Sequence, residues 1–163
     1  WKTGEVGCIG EDFNEALLTS MIAVGYNIPK KSVMVSSGSA KSKVDLLEAC
    51  RLLDQKGYDL YATAGTQKFL KDNGVKNVQV VSWPDENKEN NVMDMISEHK
   101  FELVINIPKN HTKRELTNGY KIRRAAIDFN IPLLTNARLA SSFIMAVCLV
   151  GEKGLAIRSW GSY

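Results

Sequence analysis

Hydroxyls and cations gathered in short segments behind apolar runs are the groups best suited to chemistry in this sequence. Ser36-Ser37-Gly38-Ser39-Ala40-Lys41-Ser42-Lys43 is small, hydroxyl-rich and basic. Backbone N–H groups at a helix start carry partial positive charge and bind phosphate or carboxylate, and Lys43 adds a full charge in the first turn. The spacing of a nucleoside-triphosphate loop is absent, and a solvated turn capped by a hydroxyl is the competing reading. Thr63-Ala64-Gly65-Thr66 sets two hydroxyls around a glycine that permits close backbone approach. Thr66 either caps the helix that follows or shares an anion with the first loop. Trp83 could stack on a base or cover a small acid, or simply pack at a rim. Asn106 ends an apolar run and offers both donor and acceptor, to a ligand or to its own loop.

Other chemistries find little support. His99 and His111 have no Cys, Asp or Glu partners at metal-ligand spacing, so no metal site is expected. No nucleophile-and-base motif occurs, and no catalytic residue is assigned. Cys8, Cys50 and Cys148 are odd in number and widely spaced, which points to reduced, partly buried thiols and a cytoplasmic setting. The run from Pro108 through Lys109, His111, Lys113 and Arg114, with Arg123-Arg124, is either a solvated face or part of an anion site.

The 163 residues carry 21 Lys plus Arg against 18 Asp plus Glu, a formal charge of +3. Residues 1–29 hold one Lys and four acids, so an acidic leader precedes a basic remainder. That sign suits a small anionic ligand; no aromatic stacking series or Lys-rich tail supports nucleic acid. The longest apolar run covers residues 143–150, far short of the ~20 needed to span a bilayer, so no membrane partner is expected. The first residues show no basic segment followed by an apolar one, so no secretory leader is expected in them.

Positioning these groups falls to alternating elements. Strands are predicted over residues 33–35, 58–62, 78–81, 103–105 and 132–134, and helices over 43–55, 66–72, 92–99, 120–129 and 138–149. The first of these helices places Leu46, Leu47, Cys50 and Leu53 on one stripe and stops at Lys56-Gly57. Nearly continuous apolar strands indicate a sheet covered on both faces, hence an α/β, Rossmann-like, doubly wound sheet of five parallel strands. Ligands in such sheets bind beyond the carboxyl ends of the strands. The loops at 36–42, 63–66, 82–91, 106–119 and 135–136 are therefore the candidates. An amphipathic stretch, Phe13, Leu17, Met21 and Val24, precedes the linker Pro29-Lys30-Lys31. A boundary is drawn after residue 29, and a chain starting near Lys31 is expected to fold.

The residues also carry a family resemblance. Lys2-Thr3-Gly4-Glu5-Val6, Cys8-Ile9-Gly10 and Phe13-Asn14-Glu15-Ala16 resemble the end of the second ATP-grasp half of the carbamoyl phosphate synthetase large chain. Lys41-Ser42-Lys43, Gly57-Tyr58-Asp59-Leu60-Tyr61-Ala62-Thr63-Ala64-Gly65-Thr66, Leu103-Val104-Ile105-Asn106, Gly119-Tyr120-Lys121-Ile122-Arg123-Arg124 and Ile131-Pro132-Leu133-Leu134-Thr135-Asn136 resemble its C-terminal allosteric domain, of methylglyoxal synthase-like fold. On this resemblance, residues 1–29 are the tail of the preceding ATP-grasp domain and a linker, and 30–163 are the regulatory domain.

The resemblance implies an effector-binding module without catalysis or cofactor of its own. Its parent chain would be an ATP-dependent ligase using ATP with Mg or Mn, and making carbamoyl phosphate for pyrimidine and arginine synthesis. Lys43, Thr63 and Thr66 match positions that hold phosphate in nucleotide-regulated members. Trp83 and the Asn106-Ile107-Pro108 turn resemble the N-acetylglutamate branch, whereas Lys109 and Gly119 depart from the asparagines expected there. Pro108 departs from the hydroxyl residue expected for a nucleotide. A uridine nucleotide is the favoured effector, with IMP and N-acetylglutamate as alternatives. The implied partners are the rest of the large chain, a glutaminase small chain and further copies of the protein. A structural oligomerisation module and a methylglyoxal synthase-type lyase are the rival readings; the lyase needs a carboxylate base, and residues 106–109 contain no acid.

Overall fold

Residues at alternate positions of the strands face opposite ways, and here both sets are apolar, so the sheet is buried on two sides. The computed structural model describes residues 5–86, 88–108, 112–151, 154–155, 159 and 161. Strands β1 (Ser32–Ser37), β2 (Asp59–Thr63), β3 (Val78–Val81), β4 (Leu103–Ile107) and β5 (Leu133–Leu134) form one parallel sheet in the order β3-β2-β1-β4-β5. Helices α1 (Phe13–Ala23), α2 (Ala40–Gln55), α3 (Ala64–Asp72), α4 (Val92–Ser97), α5 (Lys113–Asp128) and α6 (Ala137–Leu149) surround it. Val33, Val35, Leu60, Ala62, Leu103 and Ile105 share one core cluster with Leu18, Leu46, Leu53 and Phe143 of the helices. The intervening Met34, Tyr61 and Val104 share a second with Val92, Ile96, Ile122 and Ala126 of α4 and α5. The expected α/β doubly wound sheet is thus present. Its strand order reverses between β1 and β4, which makes a crevice at their carboxyl ends.

Several boundaries differ from the sequence-based expectation, each for a local reason. Helix α2 begins at Ala40 because Ser39 caps it, its hydroxyl accepting the Ser42 N–H at 3.0 Å. The helix ends at Lys56-Gly57 as expected, with Gly57 at φ +79°, a conformation costly for residues with a Cβ. Helix α5, expected from Tyr120, starts two turns earlier. Thr112 caps it there, its hydroxyl accepting the Glu115 N–H at 3.2 Å and donating to the Glu115 carboxylate at 3.0 Å. Gly119, read as a loop end, lies inside the helix. Helix α4 stops at Ser97, and His99 adopts φ +51° beyond it.

The leader is tied to the sheet domain. On α1 the buried residues are Glu15, Leu18 and Met21, while Phe13 and Val24 of the expected stripe are exposed. Leu18 is fully buried in the core cluster that contains Phe143 of α6. Tyr26 stands edge-on to Phe143, centroids 6.1 Å apart, and its hydroxyl donates to the Leu133 carbonyl at 2.8 Å. The Tyr58 hydroxyl donates to the Pro29 carbonyl at 2.8 Å. A chain starting near Lys31, expected from the sequence to fold, would do so without any of these contacts.

Glu102 completes the junction by accepting the N–H groups of Lys30 at 2.7 Å, Lys31 at 2.6 Å and Ser32 at 3.3 Å. Partial burial alone would raise its pKa, but these donors and the Lys30 charge outweigh it and hold the carboxyl below its ordinary value. A pKa lower in the folded than in the unfolded state stabilises above the unfolded value, ~4.3, and the contribution vanishes as pH falls through the folded value. Glu102→Gln should therefore cost on the order of 1 kcal/mol at pH 7, a figure reduced for solvent exposure, or roughly 2–4 °C in Tm. Thermal melts of both proteins from pH 7 to pH 3 should show the gap closing below about pH 4; a gap independent of pH would refute the carboxylate's role.

Candidate functional site

A helix that follows a parallel strand begins at the strand's carboxyl end, so α2 and α3 both start at the crevice edge. The cleft there encloses about 580 Å³ including its open mouth, and Lys43, Thr63, Thr66, Trp83 and Asn106 all line it. All five side chains singled out in the sequence are thus brought to one place. Strand register explains this: β1 pairs with β2 and with β4, β2 pairs with β3, and Ser36 lies opposite Asn106, so the segments after four strands converge.

Local bonding shapes the cleft floor. Thr66 is not the N-cap of α3; that position is Thr63, whose side chain makes no cap bond. The Thr66 hydroxyl instead accepts the Ser37 N–H at 3.0 Å and donates to the Ser37 carbonyl at 3.2 Å, fastening α3 to the end of β1. Thr63 Oγ1 lies 3.3 Å from Ser36 Oγ and 3.4 Å from Thr66 Oγ1. Across this floor Lys43 Nζ donates to the Gly65 carbonyl at 2.9 Å and sits 6.0 Å from the Phe69 ring centroid. Ser37 is 6% exposed and lines the cleft, and among the described residues its Oγ is a buried side-chain oxygen without a hydrogen-bond partner. A buried hydroxyl left unsatisfied costs about 1–3 kcal/mol, which a polar ligand would relieve.

Trp83 sits on a braced loop. The Asn91 side-chain amide donates to the Trp83 carbonyl at 3.1 Å and to the Glu86 carbonyl at 2.7 Å. Arg114 and the buried Asn118 of α5 both donate to Asp85, at 2.5–3.1 Å and 2.8 Å. The Arg114 guanidinium holds the Asp85 carboxyl below the usual carboxylate range. Arg114 is thereby committed to the loop, and Arg124 pairs with Asp128 at 2.9 Å. Lys109 and His111 lie outside the described residues.

Arg123 is the residue that sequence reasoning missed. Read only as part of a basic pair, it lines the cleft and donates from Nη1 to Asn106 Oδ1 at 2.7 Å. The signal is its spacing of four from Gly119, one helical turn, which has meaning only once α5 is known to start at Lys113. Ser37 stands out in the sequence as part of its loop but not from its neighbours. Glu115 is an acid on the cleft wall beyond residues 106–109, with the Thr112 hydroxyl at its carboxylate. Cys50, by contrast, is buried, and burial pushes its thiol up to about 12, so it stays protonated and inert. Among the described residues no group of three or more His, Cys, Asp and Glu is placed to hold a metal ion, and no helix is long and apolar enough to cross a membrane.

Comparison with known proteins agrees with this fold. The model of the MGS-like domain matches residues 45–135. The chain is 41% identical to part of the multifunctional protein CAD of Squalus acanthias, covering 93% of this chain and 7% of that protein. It is 35% identical to the carbamoyl phosphate synthase large chain, C-terminal section, of Aquifex aeolicus, over 97% of this chain and 30% of that one. The chain thus spans less than a third of either relative. Methylglyoxal synthase from Elizabethkingia anophelis superposes with a TM-score of 0.55 at 19% identity, over 76% of this chain and 80% of that one, a likeness of fold. With the doubly wound sheet, the cleft at its strand ends and the match through most of the sheet, the chain belongs to the MGS-like domain family.

Proposed function

We propose that the cleft binds a small anionic effector, a uridine nucleotide in the first place, and that the domain thereby regulates carbamoyl phosphate synthesis by a longer chain. The observation that carries this reading is the convergence of Lys43, Thr63, Thr66 and the unsatisfied Ser37 hydroxyl on one floor where two helices begin. Such a floor offers hydroxyls, backbone donors and a full charge to a phosphate. Trp83 at the rim would cover the base. In the longer chain residues 1–29 would lead in from an ATP-grasp domain, and ATP with Mg or Mn would act there, with a glutaminase partner. Regulation requires the effector to bind two states unequally, typically by ~1–3 kcal/mol.

A second reading, N-acetylglutamate, draws on Arg123 beside Asn106, since a guanidinium suits a carboxylate. A thermal-shift panel of UMP, UTP, IMP and N-acetylglutamate on the 163-residue chain separates the two. Ligand at a hundred times Kd stabilises by about 2.7 kcal/mol, or roughly 5–10 °C for a chain of this size. A shift with UMP supports the first reading, and one with N-acetylglutamate alone supports the second. No shift with any of them would overturn effector binding and leave a structural module. Methylglyoxal released from dihydroxyacetone phosphate would instead make the domain a lyase.

A further inference from the structure

The rim that carries Trp83 is braced within itself and fastened to α5 from outside. At its base the Ser82 N–H donates to the Asn90 carbonyl at 2.9 Å and the Val92 N–H to the Ser82 carbonyl at 3.1 Å. Inside it, the Asn91 amide holds the Trp83 and Glu86 carbonyls, and the Glu86 carboxylate accepts the Trp83 N–H at 3.3 Å. Two acids reach across to α5. Asp85 accepts both Nε and Nη2 of Arg114 and, at 2.8 Å, Nδ2 of the buried Asn118, while Glu86 lies 3.5 Å from Arg114 Nη2. Arg114 and Asn118 are one helical turn apart. One residue further round α5, about 100°, Glu115 and Gly119 line the cleft together with Arg123. The helix that forms one wall of the cleft thus also holds the loop that forms its rim.

We propose that Asp85 is a positioning residue for the cleft: it holds Trp83 at the rim against the α5 wall, and ligand affinity depends on it although it does not itself line the cleft. The inference rests on the effector reading above and adds the device that sets its rim. An exposed ion pair contributes little to stability, so loss of Asp85 should leave the fold standing. Its effect is on position. A two-pronged contact between guanidinium and carboxylate fixes direction as well as distance, and the buried Asn118 amide loses its acceptor when Asp85 is removed. Because the loop is braced by Asn91 and Glu86, it would then swing about its base as one body, carrying Trp83 with it. Each ligand would have to order the rim on arrival, and that ordering is subtracted from the affinity.

Calorimetric titration of the 163-residue chain with UMP and with N-acetylglutamate tests this by double-mutant cycles. Asp85→Ala should weaken the ligand that binds by roughly fivefold or more, and Arg114→Ala should do the same, both with unchanged circular dichroism. In a Trp83→Ala background Asp85→Ala should change affinity by less than about twofold, because it acts through Trp83, whereas combined with Lys43→Ala its effect should multiply. A second readout needs no ligand. The chain has three tryptophans, so Trp1→Phe with Trp160→Phe leaves the emission of Trp83 alone, and Asp85→Ala should raise its quenching by acrylamide. Unchanged quenching or unchanged affinity in Asp85→Ala, or a loss that persists in full without Trp83, would overturn the positioning role alone. Failure of both ligands to bind wild type would overturn the effector reading, and this proposal with it.

Discussion

Replacing Lys43 by alanine should weaken UMP binding at least about tenfold, a change that needs only ~1.4 kcal/mol. Lys43 reaches from α2 to the first turn of α3, with its ammonium on the Gly65 carbonyl at 2.9 Å, so its charge stands beside both helix starts. A charge-assisted hydrogen bond contributes on the order of 1.5–3 kcal/mol, and in the proposed site the Thr63 hydroxyl and the backbone N–H groups at the start of α3 would add donors to the same anion. Lys43 is only half-buried, so the loss should shrink as salt rises, since such a pair is screened over ~8–10 Å at physiological ionic strength. Titrations of wild type and Lys43→Ala at low and high salt measure both effects. Trp83→Ala gives the contrast: tight N-acetylglutamate binding that depends on Trp83 and ignores Lys43, with no nucleotide bound, would sink the phosphate assignment.

The second large effect concerns stability. Leu18→Ala should destabilise by about 2–5 kcal/mol, the usual range for truncating a fully buried leucine. A chain beginning at Lys31 should lose more, because it also gives up buried Met21, the Tyr26 ring against Phe143 and the Tyr26 hydroxyl bond to Leu133. Urea unfolding measures both, and an unchanged midpoint for the shortened chain would show that the leader adds nothing to the fold. The expected drop would reach the helix that bears Lys43, because α6 carries Phe143 and packs against both α1 and α2.

Much of this architecture is legible in the chain because its determinants are local. The stripe Leu46, Cys50 and Leu53 and the runs at Val78–Val81 and Leu103–Ile105 declare their period within a few residues. Parallel alternation then sends the loops to one sheet edge, which is why the order of strands and helices suffices to group Lys43, Thr63, Thr66, Trp83 and Asn106. The start of α5 escapes such reading because Gly119 and the basic residues look like loop, although the capping pair Thr112 and Glu115 stands two turns earlier.

Residue order alone determined the fold class, the sheet's two buried faces and the edge where the cleft lies, since these follow from period, polarity and the handed connection of parallel strands. Only the tertiary structure decided which side chains complete the cleft. Thr66 meets Ser37 across 29 residues, Arg123 meets Asn106 across 17, and Tyr26 meets Leu133 across 107. Such pairings depend on how strands are ordered and helices rotated, and nearest-neighbour pattern holds no record of either. The unsatisfied Ser37 hydroxyl is of the same kind: its burial and its lack of a partner are properties of its surroundings, which exist only once the chain has folded.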